Sequence, residues 1–414
     1  MLDGLVVWPA AAKRLRESEF AVHLDGFCAW LGGLGYGVGT IRAKLRIVDA
    51  LARWMVDAGV AVEELDERRA REFVEARGRR GLTHRGFERT VVQLIEHLRA
   101  GGAVAVPVVA RDDSPGALLL ARYEEFLVRE RALAASTIAG YRSVVRAFVE
   151  DRFVVGGGRP DALGAGEVRD FLLARAHGAP PRRAQYVACA LRSFLRFLFL
   201  RGETAVDLSL ALPTVRRWRL ASVPRDLPEG DVERLLLACE RTTATGRRNY
   251  AMLLLFARIG LRASEVMMLD LADLRWREGE IVVRAKGGAR HRLPLLPDVG
   301  EALAHYLREG RPAGCSRRVF VCARAPHRGF SNPSSVSTVV ARAFARAGLA
   351  PTSRGAHTLR HSLATAMMRR GASLAEVGEV LRHRSQNTTE IYAKLDFDAL
   401  RDVALPWPLA GDER

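Results

Sequence analysis

His357-Thr-Leu-Arg-His-Ser-Leu-Ala-Thr365 carries the pair of residues on which the reading of the whole chain turns. His357 and Arg360 stand three apart, so on a helix they lie side by side on one face and aim at one target. An imidazole and a guanidinium together suit a single phosphate, the arginine as a bidentate fork and the histidine as one further donor. Downstream, Thr388-Thr-Glu-Ile-Tyr392-Ala-Lys394 brings a tyrosine able to attack such a phosphate.

The charge balance says where the phosphate belongs. The 414 residues carry a formal net charge of +17, with a sequence pI near 10.6, which points to a polyanionic partner and thus to nucleic acid. Hydrophobic residues make up 49% and charged residues 27%, an ordinary globular balance, and the length predicts two to four domains. Lys13, Lys44, Lys286 and Lys394 are the only lysines among 64 basic residues, so each invites inspection. The five cysteines are odd in number and form no CxxC pair, which predicts reduced thiols in a cytoplasmic protein and no metal site. The start lacks the basic region and apolar run of a signal peptide, and Phe194–Leu200 is too short to span a bilayer.

Two turn-rich breaks divide the chain. Gly101–Pro107 runs into Asp112-Asp-Ser-Pro-Gly116 with no helical period, and the second break, Leu212–Pro228, is rich in proline and arginine. Arg216, Arg217 and Arg219 make this second segment a basic strap suited to a duplex. The two parts before it read as a diverged repeat: Phe27, Thr40-Ile41, Leu65 and Phe73 match Tyr123, Thr137-Ile138, Leu163 and Phe171. Each predicts a small bundle of about four helices. Beyond Pro228 the pattern is mixed. Helices are predicted over Glu229–Cys239, Arg247–Ile259 (closed by Gly260), Asp298–Leu307, Ser334–Ala347, His357–Arg370, Ser373–Leu381 and Thr388–Lys394. Glu280–Arg284 and Arg290–Leu295 predict a β-hairpin with Lys286 at its glycine turn.

Several residues in this last part can carry chemistry. Arg262 lies just past the capping glycine, and Glu265, one turn on, can orient its guanidinium. A lysine can donate a proton where an arginine, with a pKa above about 12, cannot; that singles out Lys286. His357 and His361, four apart, have the spacing of a metal pair, but no glutamate follows His357 and Arg360 between them repels a cation. His383 follows in Leu381-Arg-His-Arg-Ser385.

Arg262, Lys286, His357, Arg360, His383 and Tyr392, in this order and spacing, resemble the tyrosine recombinase (phage integrase) family. The similar text includes Asn249-Tyr-Ala-Met-Leu-Leu-Leu255 and Gly260-Leu-Arg-Ala-Ser-Glu-Val266 as well as the two stretches quoted above. It is strong over about 228–400 and weaker, by pattern, over 115–212. Two positions depart: Ile259 stands where threonine is common, and Arg382 where glycine is common, neither at a catalytic position. The resemblance implies a mainly α protein with a small β-hairpin or sheet in the catalytic domain. It would comprise an extra N-terminal helical domain (1–108), a helical core-binding domain (115–212), a basic linker (213–227), a mixed α+β catalytic domain (228–400) and a tail (401–414). The two DNA-binding parts and the catalytic domain would close as a C-shaped clamp.

The resemblance also implies the chemistry. Tyr392 would attack a scissile phosphodiester, giving a 3′-phosphotyrosyl link and a free 5′-hydroxyl, with no metal or nucleotide cofactor. Arg262 and Arg360 would hold the non-bridging oxygens, Lys286 would protonate the leaving oxygen, and His357 would assist proton transfer at the tyrosine. His383 would donate to the phosphate, with Glu265 and His361 in support. Arg216, Arg217, Arg219 and Arg290 are the candidate contacts to double-stranded DNA, with four copies of the chain on paired sites. Two other readings share the fold: a relaxing enzyme of the type IB topoisomerase kind, and a non-catalytic DNA-binding accessory protein. The retention of all six residues speaks against the second.

Overall fold

The computed structural model describes residues 9–79, 81, 86–107, 112–214, 226–284, 288–314, 316–383 and 389–395, without the side chains of 393–395. The chain divides into two compact units, one made of residues 1–107 with 222–414 and the other of 108–221. Both are mainly helical, and the described sheet is a single three-stranded antiparallel one.

The first unit begins with α1 (Pro9–Glu17), α2 (Ala21–Gly33), α3 (Val38–Ala58), α4 (Glu67–Gly78) and α5 (Phe87–Ala100). Asp66 caps α4 by accepting from the Arg69 backbone N–H at 2.8 Å. Phe27, Leu31, Leu51, Leu65, Phe73 and Leu94 form its core, each fully buried. Lys44 is buried there too. Its ammonium donates to Gln93 at 2.7 Å and Thr90 at 3.1 Å and sits 4.7 Å above the Tyr36 ring, so this lysine ties α3 to α5.

The second unit holds α6 (Pro115–Arg129), α7 (Ala135–Val149, running into a π-helical turn Glu150–Val155), α8 (Ala165–Ala176) and α9 (Pro181–Leu200). Ser114 caps α6 with proline following at the first helical position, the local chemistry that starts a helix. Its core is aromatic: Tyr123 meets Phe194 edge-on at 5.2 Å and Phe148 meets Phe171 at 5.0 Å. Of the residues matched between the two halves in sequence, Phe27, Ile41, Leu65 and Phe73 are buried in the first core. Tyr123, Leu163 and Phe171 are buried in the second.

The remainder of the first unit carries α10 (Glu229–Leu237), α11 (Ala244–Ala257), α12 (Ala263–Met268), β1 (Leu274–Arg275), β2 (Glu280–Arg284), β3 (Arg290–Pro294), α13 (Pro297–Glu309), α14 (Pro333–Arg346), α15 (Ala356–Arg369) and α16 (Leu374–Val380). A 3₁₀ helix, Glu390–Leu395, ends the described chain. Residues 251–257 of α11 are buried on every side, because the helix packs on both α13 and α15. The sheet runs β1-β2-β3, with Leu274 opposite Ile281 and Val282 opposite Arg292. Ile281, Val282 and Val283 seat β2 in the core.

The expected helices are present with small shifts at their ends. Thr243 starts α11 earlier than expected by accepting from the Gly246 N–H at 3.0 Å. Where a helix is expected over Thr388–Lys394, the described part is a tighter 3₁₀ segment, Glu390–Leu395, which packs on α15 and carries Tyr392; Thr388 lies outside the described residues.

Gly260 fixes how closely these pieces meet. Its φ of +64° reverses the chain after α11, and a Cβ there would lie 2.8 Å from Leu381 Cδ2 and 3.0 Å from Leu363 Cδ2. Gly260→Ala therefore adds overpacking to left-handed strain and should lower stability by roughly 2–4 kcal/mol. Gly279, with the same φ of +64° and nothing within 4 Å, supplies the control. Gly279→Ala should cost only about 1 kcal/mol, and urea unfolding of the two variants checks the difference.

Candidate active site

Arg262 occupies the cap position of α12 with extended backbone, and Glu265 folds back onto it. The Glu265 carboxylate accepts the Arg262 backbone N–H at 2.8 Å and its Nη1 at 2.7 Å. One buried side chain thus caps the helix and aims the guanidinium, which stays about one-third exposed (32%) toward solvent. Burial alone would raise the Glu265 carboxyl, but the donors from Arg262 and the charge of Arg382 outweigh it and hold the group below its ordinary range. The expected orientation of Arg262 by Glu265 is present in the structure.

Arg360 comes from α15 and is buried. Its Nη1 donates to the Gly260 carbonyl and its Nη2 to the Leu381 carbonyl, so the guanidinium is clamped between the turn after α11 and the end of α16. Burial, followed by repulsion from Arg262 and Arg382, pushes its pKa down to about 9. It remains protonated at neutral pH, as a cation under stress.

Tyr392 is 1% exposed, in a small cluster of its own with Ala364, Val377 and Leu381. Its hydroxyl is hydrogen-bonded to His361 Nδ1 at 2.5 Å. Burial pushes the phenol up to about 12, with Arg360 opposing, while burial, His357 and Arg360 push the His361 imidazole down to about 4. At neutral pH a protonated phenol therefore faces a neutral imidazole, the arrangement that permits proton transfer from one to the other. The sequence had put His357 in this place and His361 in support. His357 is exposed, with its ring 6.4 Å from that of His361, and it is His361 that meets the hydroxyl.

His383 follows directly, its Nδ1 2.8 Å from Thr389 Oγ1 and its backbone N–H donating to the Gly378 carbonyl at 2.8 Å. Burial, and the charges of Arg360 and Arg262 after it, push its imidazole down to about 4. The sequence did not single out Thr389, whose 3% exposure and hydroxyl link tie the histidine loop to the tyrosine segment. Arg382, set aside in the sequence as a harmless departure, is inside the site: its carbonyl accepts from Arg262 Nη2 at 3.3 Å. Arg290 is exposed at the start of β3, opposite Arg284. Lys286, Arg216, Arg217, Arg219 and the tail from 396 lie outside the described residues.

The arrangement gathers Arg262, Arg360 and Arg382 around the Glu265 carboxylate, two of the three mostly buried. Positive charge is in excess in a place poorly reached by water, so an anion entering there relieves repulsion as well as gaining hydrogen bonds. A tyrosine hydroxyl and its proton acceptor stand on the same helix–turn framework.

The sequence profile of the phage integrase family matches residues 225–398. The integrase/recombinase y4rA of Sinorhizobium fredii is 41% identical over 400 residues, spanning 96% of this chain and 97% of that one. The tyrosine recombinase XerD of Listeria innocua is 32% identical over 294 residues, 69% of this chain and 96% of its own. The crystal structure of the XerH site-specific recombinase, in a post-cleavage complex with its palindromic difH substrate, shares the fold. Its TM-score is 0.54 at 20% identity, over 72% of this chain and 90% of that one. The chain belongs to the phage integrase family, the tyrosine recombinases, whose class of reaction is site-specific DNA recombination and integration. No helix among the described residues is long and apolar enough to cross a membrane.

The two depressed imidazoles predict an acid-sensitive fold. Both pKa values are lower folded than unfolded, so their contribution to stability is complete above about pH 6.5 and is lost as pH falls toward about 4. In that window the unfolded chain binds up to about two more protons than the native one. Unfolding midpoints measured at pH 7, 5.5 and 4.5 should fall steeply, and the His361→Gln/His383→Gln double variant should flatten the dependence.

Proposed function

We propose that the protein is an active site-specific DNA recombinase that cuts and rejoins strands through a 3′-phosphotyrosyl intermediate. The observation that carries this reading is the Tyr392 hydroxyl hydrogen-bonded to a neutral His361, the residue that directly follows the buried Arg360. Tyr392 Oη attacks the scissile phosphorus and its proton passes to His361. The bond from phosphorus to the 5′-oxygen breaks, and Lys286 protonates that oxygen to leave a free 5′-hydroxyl. Arg262 and Arg360 hold the non-bridging oxygens and stabilise the charge that grows in the transition state, with His383 as a further donor. Reversal by a different 5′-hydroxyl exchanges strands, with the phosphotyrosyl bond keeping the energy of the broken phosphodiester.

Fixed guanidinium groups supply the charge stabilisation that divalent metals give other phosphoryl-transfer enzymes, so the reaction is expected to proceed in EDTA. The helical bundles centred on Phe27 and on Tyr123 serve as related DNA-binding modules, and residues 213–227 as a basic strap along the duplex. Residues 115–212 act as the core-binding domain and 228–400 as the catalytic domain. Full recombination takes four copies of the chain on paired sites. Arg216, Arg217, Arg219 and Arg290 contribute phosphate contacts, which makes affinity fall steeply with salt.

A binding site selected from a random DNA pool provides the test. Built as a nicked duplex that traps the cleaved strand, and incubated with protein in EDTA, it should yield a DNA–protein adduct on a denaturing gel. Tyr392→Phe should abolish the adduct while DNA affinity stays within about threefold. An adduct that survives Tyr392→Phe, or tight binding by the wild type with no adduct, would refute the reading.

A further inference from the structure

Residue 382 has a φ of +54°, a left-handed conformation that costs a residue with a Cβ about 1 kcal/mol and that glycine adopts freely. An arginine occupies it, and its long side chain is turned inward: the side chain is 3% exposed, against 32% for Arg262. Both features run against ordinary preference, since arginine is among the residues least often buried.

The contacts explain what offsets these costs. Arg382 Nη2 lies 3.0 Å from Glu265 Oε2 and 3.4 Å from the Gly260 carbonyl, and its Nη1 donates to the Val380 carbonyl at 3.0 Å. Glu265 Oε2 is the same oxygen that accepts the Arg262 N–H, while Oε1 holds the Arg262 guanidinium. The Gly260 carbonyl is the same one to which Arg360 donates. Arg382 further offers its own carbonyl to Arg262 Nη2. One side chain and its backbone therefore touch the partners of both phosphate-facing arginines from behind.

We infer that Arg382 is a positioning residue for DNA cleavage, a buried cation that locks Glu265 and so sets the geometry of Arg262. Without it, Glu265 Oε2 keeps only the Arg262 backbone N–H, and the carboxylate and the Arg262 fork it holds are less firmly fixed. Arg382 does not reach the phosphate. Its effect on the reaction passes through Arg262, and this separates a positioning role from a general packing role.

This inference rests on the strand-cleavage reading proposed above, and a double-mutant cycle separates the two. Single-turnover adduct formation is followed at saturating DNA, on the trapping duplex, for the wild type, Arg382→Gly, Arg262→Ala and the double variant. Arg382→Gly should slow cleavage at least tenfold while DNA affinity stays within about threefold. In the Arg262→Ala background the same change should alter the residual rate by less than about twofold, because the group through which it acts is already gone. Equal losses in both backgrounds, or no loss in either, would overturn the proposal while leaving the cleavage reading intact. A wild type that forms no adduct would overturn both. Arg382→Lys repeats the cycle with a milder change that keeps a cation beside Glu265. It should give a smaller loss in the wild-type background and none in Arg262→Ala, and additive losses there count against the proposal in the same way.

Discussion

Glu265 accepts from the backbone N–H and guanidinium of Arg262 and from the guanidinium of Arg382, and the geometry of the catalytic region follows from that buried carboxylate. A carboxylate removed from water is costly unless its lone pairs are filled, and here both oxygens have charged partners. The same contacts start α12, fix the corner after α11, and join that corner to the loop bearing His383. Arg360 enters from α15 and closes the assembly through the Gly260 and Leu381 carbonyls. Gly260 permits this approach, since any side chain there would strike Leu363 and Leu381.

Three guanidinium groups against one carboxylate leave the site short of negative charge. That deficit is visible in Arg360, driven down to about 9 by burial and by its like-charged neighbours. A phosphodiester would restore the balance and would be held by groups already in place, so little reorganisation is left for the reaction itself. The proposed nucleophile is mounted differently. Tyr392 belongs to a small apolar cluster apart from the main core, on a short 3₁₀ segment tied down by Thr389, His361 and Ile391. Elements with few buried apolar neighbours open at lower free energy than a main core, so this segment is the part of the site best suited to moving when DNA arrives.

Much of this was legible in the sequence. Arg262 with Glu265 and the pairing of β2 with β3 were readable because each depends on spacing within one helix or one turn. The helices around α11 were readable from their apolar runs, although Thr243 shifted one end by capping. What escaped depends on contacts between distant segments. His361 and His357 share a helical face, and only the return of the 3₁₀ segment decides which of them meets Tyr392. Arg382 looked harmless because its importance lies in a left-handed backbone and a carboxylate 117 residues away. Its signal was in the sequence all the same, as an arginine at a position that favours glycine.

The central claim is that buried guanidinium groups act on the negative charge of a phosphodiester, and it can be tested on the substrate itself. Adduct formation would be measured for the wild type and Arg360→Ala, on a trapping duplex with its natural scissile phosphate and on one bearing an uncharged methylphosphonate there. If Arg360 serves to neutralise that charge, Arg360→Ala slows cleavage of the phosphate by at least about a hundredfold and of the methylphosphonate by far less. An equal loss on both duplexes would show that Arg360 acts on the fold alone and would contradict the electrostatic basis of the site.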